Sequence, residues 1–282
     1  MLRLDGKIVS QKLREEIKAE SLSFQEKYGV KPGLAVIVVG NDPASAIYVR
    51  NKRRACDEVE FLSRVYEMPE ETSEDELIEK IAELNADANI HGILVQLPLP
   101  KHINAARVTQ SILPTKDVDA FHPHNGGMLL EGHPTYLPCT PAGVMEILKH
   151  YEIDVAGKEC VVVGRSNIVG KPMALLLLAA NGTVTICHSK TADLAEVTRR
   201  ADILVSAIGK ARFITPQMVK PGAVVIDVGI NRDADSKLCG DVDYDGIAEI
   251  AFAATPVPGG VGPMTITMLL QNTLTSAKSS QI

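Results

Sequence analysis

Tyr48 and Lys52 stand four residues apart in the segment PASAIYVRNK, which reads as helix, so the two side chains share a face. A tyrosine ring there can stack on a flat heterocycle while the ammonium reaches its reactive edge; a surface tyrosine beside a solvated lysine is the plainer alternative. Gln96 ends the apolar run LVQLPLP. A buried amide must find partners, which makes it either a core linker or a ligand contact. A third cluster, KDVDAFHPHN (116–125), puts Asp117, Asp119, His122 and His124 close together. D-x-D and H-x-H spacing in a loop without further ligands is ordinary turn chemistry, and no metal is expected.

A different chemistry is written at 161–170, VVVGRSNIVG, followed by Lys171, Pro172 and a leucine-rich run. The β-branched run suits a buried parallel strand, Gly164 permits a tight turn, and Pro172 falls in a first helical turn, where a missing N–H is tolerated. Unpaired N–H groups at such a helix start face an anion. The turn departs from G-x-G-x-x-G: Ser166 replaces the second glycine, and Gly170 comes one residue late. The next strand, TVTICHSK (183–190), ends without the Asp or Glu that would bind a ribose 2′-hydroxyl; Ser189 and Lys190 stand there instead. With Arg165 they can surround a 2′-phosphate, which favours NADP over NAD. An ordinary βαβ turn without a nucleotide is the alternative.

Two α/β units are expected to position these groups. The first runs through a helix over 10–28, a strand at 34–40, a helix from about Ser45 with Ser45 as N-cap, a weaker strand at 63–68, a helix at 73–87 and a strand at 92–100. The second alternates strands within 159–164, 183–188, 203–209 and 223–230 with helices at about 171–180, 191–201 and 216–220, which implies a parallel sheet. The expected division is a catalytic domain over 1–120 completed by a C-terminal helix at 263–282, an interdomain loop at 121–140, and a Rossmann-type nucleotide domain at 141–262. The expected fold class is therefore α/β, with two mostly parallel sheets and a cleft between the domains. In open parallel sheets, ligands bind beyond the carboxyl ends of the strands.

Composition excludes other classes. A chain of 282 residues with 45% hydrophobic and 23% charged residues is globular, and a formal net charge of −6 argues against a nucleic-acid surface. No apolar stretch is long enough for a membrane span, and the amino-terminal segment lacks a signal-peptide core, so a cytoplasmic location is expected. Five cysteines without a C-x-x-C pair are expected to be reduced and mostly buried.

Taken together, PASAIYVRNK, GILVQLPLP, KDVDAFHP, PCTPAGVMEIL, GRSNIVGKP, HSKT, VIDVGIN, GDVDY and TPVPGGVGPMT resemble, nearly end to end and in order, the bifunctional methylenetetrahydrofolate dehydrogenase/cyclohydrolase family. The resemblance implies an NADP-dependent enzyme of one-carbon metabolism and purine biosynthesis. It implies oxidation of 5,10-methylenetetrahydrofolate to the methenyl cation, hydrolysis of that cation to 10-formyltetrahydrofolate, and a homodimer. Carried over by position, Lys52 matches the catalytic lysine, Tyr48 the tyrosine lining the folate site, Gln96 the glutamine that positions the lysine, and Asp119 the aspartate that binds the pterin. Gly164, Arg165, Ser166, Ser189 and Ile230 match the NADP contacts; Pro258, Gly259, Gly260 and Pro263 match the loop closing the folate pocket.

Three positions depart from the family pattern. Ala120 follows DVD where glycine is usual; its methyl group either crowds the pterin or is harmless, the latter if the backbone has φ below zero. Asn167 replaces a lysine often found in the cofactor turn. Glu60 stands where glycine is common, so the lysine-bearing helix is expected to end differently. The hydrolytic step needs proton management, and a free lysine near pKa 10.4 is a poor base at neutral pH. Lowering it by about three units takes roughly 4 kcal/mol. Lys52 as a base and Lys52 as a charged donor are both open. A dehydrogenase of small hydroxy or amino acids would need carboxylate-binding arginines in place of the tyrosine-lined slot. A non-catalytic NADP sensor would leave Tyr48, Lys52, Gln96 and Asp119 without a purpose.

Overall fold

The computed structural model describes residues 1–281, the side chains of Pro43 and Ala44 excepted. The chain opens with β1 (Leu2–Arg3) and α1 (Gly6–Tyr28), then alternates through β2 (Gly33–Val39), α2 (Pro43–Glu58), β3 (Leu62–Met68), α3 (Glu74–Ala86) and β4 (Gly92–Val95). Three helices follow: α4 (Ala105–Ser111), α5 (Pro123–Leu130) and α6 (Cys139–His150). A second alternation comprises β5 (Glu159–Val163), α7 (Gly170–Ala179), β6 (Thr183–Cys187), α8 (Leu194–Thr198), β7 (Ile203–Ser206), a 3-10 turn at Pro216–Met218 and β8 (Val224–Asp227). The chain finishes with β9 (Asn231–Arg232), β10 (Leu238–Cys239), β11 (Ala253–Ala254) and α9 (Val261–Ser279). No described helix is long and apolar enough to cross a membrane.

Two compact units form: Met1–Gln11 with Pro138–Thr265, and Lys12–Leu137 with Ile266–Ile282. The first holds a six-stranded sheet in the order β1-β11-β8-β7-β5-β6, parallel throughout. Helices cover its faces, so its central strands are continuous apolar runs; Val161, Val163, Leu204 and Val225 meet Ile214, Val242 and Ile247 in one core. This is a Rossmann-type arrangement. The strand order reverses at β5, whose neighbours are β6 and β7, and that reversal is where such sheets bind ligands.

The second unit is built on β3-β2-β4, also parallel, with β2 central and buried along its whole length. The strand expected to be weak, β3, pairs with β2 over Leu62–Met68. Ala35 and Ile37 pack on Leu77 and Ile81 of α3, which begins with a capping box between Ser73 and Glu76. The carboxyl-terminal part of α9 is tied in through polar side chains. Asn272 donates to the Val118 and Leu137 carbonyls, both at 2.8 Å, and the Ser276 hydroxyl donates to the His91 carbonyl at 2.6 Å.

Several expectations change. The stretch 121–140 is not all loop: α5 lies within it, started by His122, whose Nδ1 accepts the His124 N–H at 3.0 Å. The adjacent Gly126 and Gly127 weaken helix propensity enough to conceal it in the sequence. The structural grouping also differs from the expected boundaries of 1–120, 121–140 and 141–262. Residues 1–11 join the six-stranded sheet because β1 pairs with β11, and 121–137 join the three-stranded unit. The N-cap of α2 is Asp42, which accepts the Ser45 N–H at 2.7 Å, rather than Ser45 itself.

Candidate functional site

In the three-stranded unit, Lys52 and Gln96 meet beyond the carboxyl ends of β2 and β4. The α2 helix leaves β2 through Gly40, and its third turn carries Lys52, only 8% exposed. Lys52 Nζ donates to Gln96 Oε1 at 3.0 Å. Gln96 follows β4 directly and stays in register, its N–H donating to the Ile37 carbonyl at 2.8 Å. Its Nε2 donates to the Leu97 carbonyl at 2.8 Å, which turns the amide so that its oxygen faces the lysine. Gln96 thus links the strand to Lys52, which it holds as the acceptor.

Tyr48, one turn before Lys52, is half-buried, and burial pushes its phenol above the usual tyrosine value. Cys56, one turn after, is fully buried, and burial pushes its thiol up to about 12, so it is no competing nucleophile. All five cysteines are free and buried.

Asp119 is half-buried, on a turn fixed from both sides. The buried Asp117 carboxylate accepts the His122 N–H and the Asn125 Nδ2–H, both at 2.8 Å, and the Ala120 N–H donates to the Asp117 carbonyl at 3.1 Å. Asp117 and His122 thus do turn and cap work. Ala120 has φ +58, so the condition under which its methyl would be harmless is not met. It occupies a left-handed slot suited to glycine, and does so buried.

Glu60 repeats this pattern with φ +61. The Phe61 N–H reaches the Cys56 carbonyl at 3.0 Å and the Glu60 N–H the Asp57 carbonyl at 3.4 Å, which is a Schellman end. The lysine-bearing helix therefore ends as a glycine would end it, contrary to the expectation. A recess of about 340 Å³ nearby is lined by Gly40, Asp42, Glu70, Pro98 and Pro100 among others; Tyr48, Lys52 and Gln96 do not line it.

The six-stranded unit carries the expected cofactor residues. Gly164 leaves β5 with φ +134, and a Cβ there would overlap the Ala207 carbonyl oxygen at the end of β7. A Cβ on Gly170 would overlap the Gly164 backbone, so this late glycine permits the close approach of helix to turn that the third fingerprint glycine provides. The Ser166 hydroxyl oxygen accepts the N–H groups of Val169 and Gly170 at 3.1 and 3.3 Å, closing the turn and leaving its own O–H to donate outward. The N–H groups of Ser166, Asn167 and Ile168 have no protein acceptor among the described residues. Such a row fits an anion at the start of α7.

Arg165 is exposed beside this turn, and Ser189 and Lys190 are exposed on the turn after β6, which the His188 N–H closes onto Thr191 Oγ1 at 2.8 Å. Lys171 Nζ donates to Asn167 Oδ1 at 2.7 Å, one turn along the same segment. Ile230 follows β8 and is 50% exposed.

Pro258, Gly259, Gly260 and Pro263 fall in this same unit, on the approach to α9. Gly259 has φ +107, and the Gly260 N–H donates to the Pro256 carbonyl at 2.8 Å. Asp241, within GDVDY, lies at the centre of this unit's loops, where no local spacing in the sequence marks it.

The profile described as "Tetrahydrofolate dehydrogenase/cyclohydrolase, catalytic domain" matches residues 4–119, and that described as "Tetrahydrofolate dehydrogenase/cyclohydrolase, NAD(P)-binding domain" matches 138–281. The chain is 60% identical over 275 residues to the bifunctional protein FolD of Acetivibrio thermocellus, covering 98% of this chain and 96% of that one. The crystal structure of the bifunctional FolD dehydrogenase/cyclohydrolase from Campylobacter jejuni superposes with a TM-score of 0.97 at 50% identity, covering 99% of each chain. The Trypanosoma brucei enzyme, complexed with NADP cofactor and inhibitor, superposes at 0.95 with 39% identity, covering 100% of this chain and 98% of that one.

Proposed function

Because the chain belongs to the tetrahydrofolate dehydrogenase/cyclohydrolase family, we propose how its own residues divide that family's two reactions. The protein is a bifunctional one-carbon enzyme. With NADP⁺ it oxidises 5,10-methylenetetrahydrofolate to 5,10-methenyltetrahydrofolate, and it hydrolyses the latter to 10-formyltetrahydrofolate. NADP⁺, when bound, supplies the hydride acceptor.

The turn 164–170 holds the cofactor's pyrophosphate through its open N–H groups, and Arg165, Ser189 and Lys190 hold the 2′-phosphate. Ser166 shapes that turn and Ile230 offers an apolar contact to the cofactor.

On the folate side, Tyr48 stacks on the substrate's rings and Asp119 accepts from the pterin's N–H donors. Gln96 holds Lys52 Nζ at the reacting carbon. Water adds to the bridging carbon of the methenyl cation and loses one proton; as the ring C–N bond breaks, the remaining hydroxyl proton leaves to form the formyl C=O and the ring nitrogen gains a proton, so one proton is released overall. Lys52 manages that proton traffic. Hydride transfer needs orientation, to which the lysine contributes less. The segment carrying Pro258, Gly259, Gly260 and Pro263 closes over the folate. The observation that carries this division is a lysine buried to 8% exposure with its Nζ 3.0 Å from a strand-end amide.

Lys52→Met should abolish hydrolysis of methenyltetrahydrofolate supplied directly and retain part of the hydride transfer, read as nicotinamide absorbance. Hydrolysis at the parent rate removes Lys52 from the mechanism. We also place the enzyme in the cytoplasm as a homodimer. The six-stranded sheet ends on β6, an open edge strand with Ile186 exposed, and sedimentation tests the dimer.

A further inference from the structure

Apart from Ile230, VIDVGIN and GDVDY have no part in the chemistry assigned so far, yet the structure joins them through two buried aspartates. Asp227 ends β8, and its carboxylate accepts the N–H groups of Gly229, Asp241 and Val242, each at 2.9 Å. Those bonds hold the backbone that carries Asp241, whose residue is 0% exposed.

The Asp241 carboxylate turns toward two loops at the carboxyl edge of the sheet. On the β7 side, Oδ2 accepts the Ser206 hydroxyl at 3.1 Å and the N–H groups of Ile208 and Gly209 at 2.8 and 3.3 Å, and Oδ1 accepts the Lys210 N–H at 2.9 Å. On the β8 side, Oδ1 accepts Asn231 Nδ2 at 2.9 Å. The packing leaves no slack, because a Cβ on Gly229 would overlap the Asp241 carboxylate and one on Gly240 would overlap that of Asp227.

The loops so held are the ones a nucleotide meets. Ala207, next to the clamped N–H groups, offers the carbonyl against which Gly164 packs, and Ile230 immediately precedes the clamped Asn231. A rigid staple remote from the sheet's carboxyl edge would have no such neighbours. We infer that Asp241 is a positioning residue for NADP binding, setting the β7 and β8 loops so that the Gly164 turn and Ile230 engage the cofactor together. The inference rests on the cofactor reading above.

The test compares the parent protein with Asp241→Asn and Asn231→Ala. An asparagine amide presents N–H toward groups that are themselves donors, so loops on one side lose their acceptor. KM for NADP⁺ should rise roughly tenfold to a hundredfold in Asp241→Asn and by a smaller factor in Asn231→Ala. Hydrolysis of methenyltetrahydrofolate supplied directly, which uses no cofactor, should stay within about twofold.

An unchanged KM for NADP⁺ in a folded Asp241→Asn protein overturns the inference. So does a parallel loss of hydrolysis and hydride transfer with KM unmoved, the mark of general destabilisation. If Asp241→Asn does not fold, Asn231→Ala decides by the same criterion, since it leaves the carboxylate its backbone donors. A parent protein with no saturable dependence on NADP⁺ overturns the cofactor reading itself, and this inference with it.

Discussion

Replacing Gly164 by alanine tests whether the glycine turn is held as tightly as its geometry implies. At φ +134 an L-residue pays for its backbone conformation, on the order of 1–3 kcal/mol. The new Cβ also overlaps the Ala207 carbonyl oxygen. That oxygen cannot simply retreat: the next residue, Ile208, is held to Asp241 at 2.8 Å, and Lys210 is held to the same carboxylate at 2.9 Å. Overpacking against such a fixed group costs a further ~1–3 kcal/mol. The sum centres near 4 kcal/mol, which for a chain of this size lowers the melting temperature by roughly 10 °C. Circular-dichroism melts with and without NADP⁺ measure it. The cofactor should protect the variant less than the parent, because binding contributes RT ln(1 + [L]/Kd) and the turn is displaced. A variant that melts within about 2 °C of the parent and is protected equally refutes the reasoning.

Arg165→Ala should raise KM for NADP⁺ about tenfold or more and leave KM for NAD⁺ little changed, since only the former carries the 2′-phosphate; equal loss for both cofactors removes Arg165 from that contact. At Ala120, glycine releases about 1–2 kcal/mol of left-handed strain and costs ~0.5–1 in chain entropy, so Ala120→Gly should be neutral or slightly stabilising in a urea titration. Ala120→Val should lose about 2 kcal/mol or more at the same φ, and a valine variant as stable as the parent contradicts the strain. His91 is 3% exposed, and its Nδ1 accepts the Gly33 N–H at 2.9 Å, a bond only the neutral ring makes. Burial, with the Lys116 charge adding to it, holds its pKa below the usual 6.5. The unfolded chain therefore binds the proton first as pH drops, so this contribution is fully present above about 6.5 and is lost as pH falls toward the folded value. Urea midpoints between pH 5 and 8 should show that slope, and His91→Gln should flatten it; an unaltered slope assigns it elsewhere.

Local patterns made much of this protein legible. The β-branched run at 161–163 announced a buried parallel strand because a strand covered on both faces has no polar side to alternate. The pairing of Tyr48 with Lys52 followed from helical periodicity alone. Elements shorter than their own pattern were illegible. Two residues at Leu2–Arg3 carry no period, and they become a strand only because Ala253–Ala254 offers an edge.

The sequence by itself determined which chemistry was available, since residue types and the order of motifs do not depend on how the chain is folded. It also determined the alternation that makes parallel sheets. Tertiary structure alone decided the orientation of the Gln96 amide toward Lys52, because a carbonyl at Leu97 selects it. It alone placed Ala120 and Glu60 in left-handed conformations that their side chains resist and their surroundings impose. It alone gave Asp241 its donors, drawn from positions 206 to 231, because a buried carboxylate is satisfied by whatever the fold brings to it and no local spacing encodes that set.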